Sequence, residues 1–284
     1  FEFRDRKDMW SLGGVVNISQ KYYPDNEPEF GFGYSVEAGK VSGNFRFALQ
    51  NTIQNETYDI NDMGFNRRNN RFNNNLELEY NIYDPVGIII DMRNEFDINY
   101  NLLYEPRVYT YFGLSYENRT TFKNYLTAGM DLNVNPVEEH DYFEPRVEGW
   151  YVKYPVNGMF SFFLSPDYRK RFVVDFNAGI WGAAEYIVMK YRGYRFSLRP
   201  RLRINDRFTV KLTMEYQNEY NSIGYIDDSL SANNEEVIIM GIRDIQNVEN
   251  VLNFKYIFTK NMVLTLRARH YWFKVDYTDY YRLR

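Results

Sequence analysis

The chain contains no cysteine, which excludes disulfides, thiolate metal sites and a cysteine nucleophile. Its only histidines are His140 and His270, and neither has a second ligand at metal-binding spacing. Long apolar runs are missing too. The longest aliphatic stretch, residues 86–90, falls far short of the roughly 20 residues a transmembrane helix needs, and no segment repeats with a helical period. A negative mean hydropathy argues only against such helices, because a strand that shows alternate residues to lipid does not register in it. No charge of one sign dominates: the net charge is -4 with 25% charged residues, so nothing points to nucleic acid as a partner. Internal repeats and low-complexity tracts are absent. The chain opens on Phe1 with no signal peptide and ends without a convincing terminal strand. It therefore reads as one domain, 1–284, incomplete at both ends, in which missing targeting signals carry no information.

What the sequence does have is aromatic side chains and alternation. Aromatics make up 19% of it, with 27 Tyr and 22 Phe, well above globular usage. In residues 195–204, Arg195, Ser197, Arg199, Arg201 and Arg203 interleave with Phe196, Leu198, Pro200, Leu202 and Ile204. Successive strand side chains point to opposite faces, so this segment has one apolar and one cationic wall. The same period recurs elsewhere. Leu76 and Leu78 alternate with Glu77 and Glu79; Ile88, Ile90 and Met92 alternate with Asp91 and Arg93, followed by Glu95 and Asp97. Leu212 and Met214 alternate with Lys211 and Thr213, Phe254 with Asn253 and Lys255, and Leu266 with Arg267 and Arg269. These are strand patterns.

Connections fall into two classes. Short turns are expected at 40–42, 83–85, 117–119, 154–158, 205–206 and 260–261, and longer polar loops at 22–29, 55–71, 135–144 and 221–236. Residues 181–193 are ambiguous in phase. Alternating short and long connections suit an up-and-down outer-membrane barrel. The expected fold is therefore all-β: an antiparallel, up-and-down transmembrane β-barrel of about 14 strands, present as a fragment. Closure follows from the cost of unpaired backbone groups in hydrocarbon, several kcal/mol each. In this reading Leu76, Leu78, Ile88, Ile90, Phe196, Leu198, Leu212 and Phe254 face lipid. Arg195, Arg199, Arg201, Arg203, Arg267 and Arg269 face a wide lumen with Glu77, Glu79, Asp91, Arg93 and Glu95, in a salt-bridged network. The Tyr and Phe excess supplies interface girdles. A soluble β-sandwich is the competing fold.

The most distinctive string is Tyr58-Asp59-Ile60-Asn61-Asp62-Met63-Gly64-Phe65-Asn66-Arg67-Arg68-Asn69-Asn70. It resembles the signature of a Bacteroidota outer-membrane β-barrel family of unassigned activity. Arg267-Ala268-Arg269-His270-Tyr271-Trp272, Val275-Asp276-Tyr277 and Tyr281-Arg282-Leu283 look like that family's late strand. Leu12-Gly13-Gly14 and Gly39-Lys40-Val41-Ser42-Gly43-Asn44 also fit. In that family the barrel usually follows a domain like the family 9 carbohydrate-binding modules. The resemblance implies a bacterial outer-membrane location, and it assigns any glycan-related role to a domain that these residues do not include.

Candidate chemistry is sparse. In the signature loop Asn61, Asp62, Gly64, Phe65, Arg67, Arg68, Asn69 and Asn70 are the residues of interest. Gly64 permits a tight turn, and Arg67 and Arg68 are expected to dock on Glu77, Glu79, Asp91 or Glu95, bracing the wall rather than contacting substrate. The arginine comb is read as a paired network in preference to an anion-selective lining. His140, in Val137-Glu138-Glu139-His140-Asp141, is expected in a solvated loop, and His270 on a strand wall. The acidic stretch 226–236 lacks the spacing of an EF-hand. No catalytic residue, metal or cofactor is assigned. The expected function is a non-enzymatic, porin-like channel or anchoring platform for polysaccharide or exported protein. Its partners would be outer-membrane lipid, other outer-membrane or periplasmic proteins, and glycan through a domain not present here. Two alternatives stand beside it: a hydrolase using loop carboxylates at the barrel mouth, and a fragment of a TonB-dependent transporter.

Overall fold

The computed structural model describes residues 1–24, 27–62, 64–66, 68–183, 191–230 and 236–283. These form strands β1 (Glu2–Arg4), β2 (Trp10–Lys21), β3 (Glu29–Lys40), β4 (Phe45–Gln54), β5 (Arg71–Ile82), β6 (Ile89–Leu102), β7 (Tyr109–Phe122) and β8 (Thr127–Asn135). There follow β9 (Glu139–Asp141), β10 (Val152–Tyr154), β11 (Asn157–Ser165), β12 (Phe172–Ala183), β13 (Arg192–Arg203), β14 (Phe208–Leu230), β15 (Glu236–Thr259) and β16 (Met262–Arg282). No helix occurs among the described residues. Fourteen strands form one sheet in chain order, with β1 and β16 at its edges, while β9 and β10 pair separately as a hairpin. The architecture is thus the expected all-β, antiparallel, up-and-down meander. By contact density the chain divides into two units. One comprises Phe1–Asn81, Arg93–Tyr116 and Asn133–Val156, and the other Ile82–Met92, Glu117–Leu132 and Asn157–Arg284.

In the second unit the register shows why the alternation matters. Arg195, Arg199, Arg201 and Arg203 share a face with Asp175, Lys211, Glu215 and Gln217. The same rows continue through Asn247, Glu249, Asn253 and Lys255 to Arg267 and Arg269. Phe196, Leu198, Leu212 and Phe254 lie on the opposite face, with Phe176, Tyr216, Leu252 and Leu266. Burial is inverted relative to a soluble sheet. On the apolar face Ile180 is 61%, Phe196 45% and Leu266 54% exposed, whereas Ser161 and Ser197 on the charged face are 1% and 6% exposed. On the charged face Arg199 Nε donates to the Ser197 hydroxyl beside it, while Leu252 and Leu266 on the apolar face stay exposed. Exposed apolar surface this continuous is rare on a water-facing sheet.

In the first unit β4 and β5 are in register from Phe45↔Tyr80 to Gln54↔Arg71. This sets Leu76 and Leu78 opposite Leu49 and Phe47, and it puts Glu77 and Glu79 on the other face with Ala48 and Arg46. Register here is strict, because slipping by one residue would exchange the two faces. Close backbone approach requires glycine at Gly31: a Cβ there would lie 2.4 Å from the Tyr58 Cα and 2.5 Å from the Thr57 carbonyl oxygen. The loop after β4 therefore lies directly on β3.

Several connections differ from the expectation. Residues 117–119 lie inside β7, and the turn falls at 123–126, where Tyr125 takes φ 62 and Asn124 Oδ1 accepts the Leu126 N–H at 3.0 Å. Asn118-Arg119-Thr120 reads as a turn by composition, but it continues the alternation and Thr120 is buried. Residues 154–158 are the exit of the β9–β10 hairpin, and the short turn comes after β11 at 166–171, where Asp167 Oδ1 accepts the Arg169 N–H at 3.0 Å. Residues 221–230, expected in a loop, belong to β14, so Asp227 and Asp228 are strand residues paired with Ile239 and Ile238. Two register shifts, 219/222 and 225/227, break the period there and hide the strand from a period-two reading. Asn221 takes φ 58 at the first shift and donates its N–H to Asp244 Oδ1 at 2.9 Å. Ile88 is not a strand residue: Gly87 takes φ +56 and Val86 bridges to Ile89, closing the turn before β6. Of the ambiguous segment, β12 runs to Ala183 and β13 starts at Arg192, and residues 184–190 lie outside the described residues.

Candidate functional site

The signature loop is held by its own amides. Asp59 Oδ1 accepts the Asn61 N–H at 2.8 Å, Asn61 Oδ1 accepts the Asn66 N–H at 2.7 Å, and the Gly64 N–H donates to the Ile60 carbonyl at 2.8 Å. Lys21 pairs with Asp59, which lowers the Asp59 pKa, with the Asn61 N–H adding to the effect. Asn69 donates to the carbonyls of Glu56 and Tyr58, and Tyr58 is 4% exposed beneath them. Asn70 takes φ 49. Its amide donates to the Glu105 carbonyl at 2.7 Å and its Oδ1 accepts the Glu105 N–H at 2.8 Å, tying this loop to the β6–β7 turn. Asp62 is exposed, and Phe65, 85% exposed, projects from the surface. Arg67 lies outside the described residues. Arg68 does not reach the strand carboxylates it was expected to meet. Its Nη2 pairs with Asp141 Oδ2 at 3.2 Å, and its guanidinium lies over the Phe143 ring at 4.8 Å. The β9–β10 hairpin brings an acid closer than β5 or β6 does.

That pairing closes one side of a polar cavity of about 310 Å³ in the first unit, lined by Arg68, Arg71, Asn101, Tyr111, Glu139 and Asp141 among others. Residues 139–141 enter it as a strand paired residue by residue with 154–152. His140 is therefore not solvated as expected. It is half-buried, its ring stacked on Tyr151 at 4.8 Å and edge-on to Tyr109 at 5.4 Å. Burial, then Lys153, lowers its pKa. The two acids differ in environment. Asp141 Oδ1 accepts the N–H groups of Phe143 at 2.7 Å and Glu144 at 3.1 Å, whereas Glu139 is raised by burial and then by Asp141. Asn101 Oδ1 is enclosed, with no donor among the described residues. A buried, raised carboxyl beside a hydrogen-bonded one is an arrangement that acid–base chemistry uses.

On β5 and β6 of the same unit the carboxylates of Glu77, Glu95 and Asp97 lie within 4.8 Å of one another. Arg93 bridges Glu95 at 2.6 Å and Glu79 at 4.0 Å. Asp97 accepts from Asn75 at 3.2 Å and Ser115 at 3.3 Å, and Glu79 from Asn81 at 2.7 Å. Asp91, in the second unit, accepts from Thr121 Oγ1 at 3.3 Å.

The arginine comb is met by neighbouring strands and by backbone. Arg199 pairs with Glu215 at 2.7 Å and Arg269 with Glu249 at 2.8 Å. Arg201 donates to the Tyr168 carbonyl and lies over its ring at 4.3 Å, and Arg203 donates to the Arg169 carbonyl at 2.9 Å. Among the described residues Arg195 and Arg267 make no ion pair. A second cavity, about 440 Å³, opens on this face and is lined by Arg119, Asp175, Arg195, Arg199, Glu215 and Asn247 among others. Sequence reasoning missed Asn101, Tyr168, Asp175 and the β9–β10 hairpin. The one signal for the hairpin was a pair of three-residue runs on either side of Pro145 and Gly149.

A meandering antiparallel sheet with one charged and one open apolar face defines the class of protein: all-β, with a sidedness opposite to that of a soluble domain. The chain belongs to the family described as a domain of unknown function (DUF5916), whose model matches residues 1–284. Comparison with curated proteins finds no match. Among solved structures the chain is similar to OmpT (in-vitro folded), an outer membrane protein of Vibrio cholerae, at 8% identity and a TM-score of 0.32. That alignment covers 93% of this chain and 98% of the other.

Proposed function

We propose that the chain is a transmembrane β-barrel of a bacterial outer membrane, acting without catalysis as a channel or as an anchoring platform for handling polysaccharide or exported protein. The observation that supports it is the inverted sidedness of β11–β13, whose apolar face is open at Ile180 and Phe196 while Ser161 and Ser197 are buried under the charged face. In hydrocarbon that arrangement satisfies both faces, and strands of about 9–11 residues suffice to cross; β11 has 9 residues and β13 has 12. Leu76, Leu78, Ile90, Phe196, Leu198, Leu212 and Phe254 then meet lipid, with other outer-membrane or periplasmic proteins as partners. The resemblance to a Bacteroidota family adds a glycan partner, reached through a domain outside this chain. Fractionation of expressing cells tests the location: the chain is expected with the outer membrane and soluble only in detergent. A monomer stable in buffer alone overturns the reading. Planar-bilayer recording then separates the channel from the platform.

A second reading, a hydrolase at the mouth, is favoured by one observation, the unequal carboxyls Glu139 and Asp141 in one cavity. In it Glu139, raised by burial, serves as the acid, beside Asp141, which is held by Arg68 and two backbone N–H groups. A Glu139→Gln change that leaves every detected hydrolytic activity intact removes it.

A further inference from the structure

We infer that the charged face of the second unit carries a binding site for an oxyanion borne on a hydroxylated molecule, a sugar acid or a phosphate ester, in the cavity lined by Arg119 and Arg195. The cavity there, about 440 Å³, has the size of a small-ligand pocket. Its acids already have partners. Asp175 accepts from Ser165 Oγ at 2.8 Å through Oδ1 and from the Tyr168 hydroxyl through Oδ2. Glu215 Oε1 accepts from Arg199 Nη2 at 2.7 Å and from Ser197 Oγ at 3.4 Å. Arg199 is further engaged through its Nε, which donates to Ser197 Oγ at 3.1 Å.

The cations are not all taken. Among the described residues Arg119 and Arg195 donate to no acceptor, though both line the cavity. Guanidinium forks lining one cavity are the groups that planar carboxylate and phosphate oxygens match. Arg195 sits in register between Gly179 on β12 and Gln217 on β14. The missing side chain at Gly179 leaves room for the Arg195 stem, since a Cβ there would lie 3.7 Å from Arg195 Cγ and 3.2 Å from Ser161 Cβ. Arg201, on the same face, is engaged with Tyr168, and Lys211 does not line the cavity.

One acceptor narrows the ligand. Asn247 lines the cavity, and its Oδ1 is enclosed behind that lining with no donor among the described residues; an enclosed acceptor left unmatched is costly. A bare halide would leave it so, whereas a ligand hydroxyl would donate to it once the Asn247 amide turns toward the cavity. The site thus offers cationic donors for the anion and an acceptor for a neighbouring hydroxyl.

The test is isothermal titration of the full chain, folded in detergent micelles, with three probes: glucuronate, inorganic phosphate and neutral galactose. Binding of glucuronate or phosphate is expected, each affinity falling about tenfold or more in Arg119→Gln and in Arg195→Gln, and staying unchanged in Arg267→Gln, which removes a guanidinium outside the cavity. Asn247→Asp keeps the shape, adds a negative charge and is expected to abolish binding. Glucuronate alone, or phosphate alone, identifies the source of the anion and supports the site. No binding of either probe, galactose binding as well as glucuronate, or wild-type affinity in both arginine variants and in Asn247→Asp overturns it. Binding in micelles is independent of whether the chain conducts or anchors, so failure here leaves the outer-membrane reading standing.

Discussion

Leu252→Arg separates a lipid-facing from a water-facing sheet. Leu252 stands in register between Leu212 of β14 and Ala268 of β16 and is 40% exposed on the apolar face. Were that face wet, exchanging a surface side chain for a charged one would change stability by no more than about 0.5 kcal/mol. In a membrane the cost depends on depth. Leu252 lies eight residues (260 − 252) before the 260–261 turn between β15 and β16, about 27 Å along the strand at roughly 3.4 Å per residue. A tilt of about 35–45° makes that a height of about 19–22 Å. With the turn about 5–7 Å below the hydrocarbon boundary, Leu252 comes near the middle of an apolar band about 25 Å tall, where arginine costs about 2–4 kcal/mol. The assay is reversible denaturant unfolding of the chain folded in phospholipid vesicles, followed by tryptophan fluorescence, with the midpoint compared at constant slope. Lys211→Gln, on the opposite face, is the control and is expected to shift little. A Leu252→Arg protein within about 0.5 kcal/mol of the parent, or a Lys211→Gln loss of equal size, refutes the reasoning.

The remaining predictions concern the loops. Glu139 is raised in the folded state by burial and by Asp141, so the native chain holds this proton more tightly than the unfolded one, and stability falls as pH rises from the unfolded value, about 4.3, through the raised folded value. Glu139→Gln is expected to flatten that stretch of the stability–pH curve; a profile parallel to the parent's would show that the group carries no such strain. Asn70→Ala removes both bonds to Glu105 and leaves a Cβ-bearing residue without Asn's local bonding at φ 49, a local loss of about 2–3 kcal/mol. It should be read as faster amide exchange at Glu105, with Asn70→Gly showing a smaller change because the backbone strain is relieved. Unchanged exchange in the alanine variant would mean that the loop is held elsewhere.

How much was legible followed from how local the cause was. The comb at Arg195, Arg199, Arg201 and Arg203 placed β13 and its two faces correctly, because side-chain direction in a strand depends only on the parity of position. The same rule failed over 221–230, where two register shifts break parity, and at Ile88, where Gly87 permits a turn that parity cannot register. The 117–119 error came from reading composition, Asn and Arg in a polar stretch, above period. Arg68 was assigned to distant strand carboxylates because nothing in the chain order announces that a hairpin at 139–154 will carry Asp141 to it. Solvation of His140 was misjudged for the same reason: its neighbours in space, Tyr109 and Tyr151, are not its neighbours in sequence.

The sequence by itself determined that the chain is an antiparallel meander with one charged and one apolar face, since period-two alternation and turn chemistry act over a few residues. Only the tertiary structure decided which groups meet. Arg68 meets Asp141, Arg199 meets Glu215, Arg119 and Arg195 line one cavity with no acceptor among the described residues, and Glu139 is enclosed beside Asp141. Partnership and burial depend on strand register and on how loops fold back, and both are settled by contacts between residues far apart along the chain.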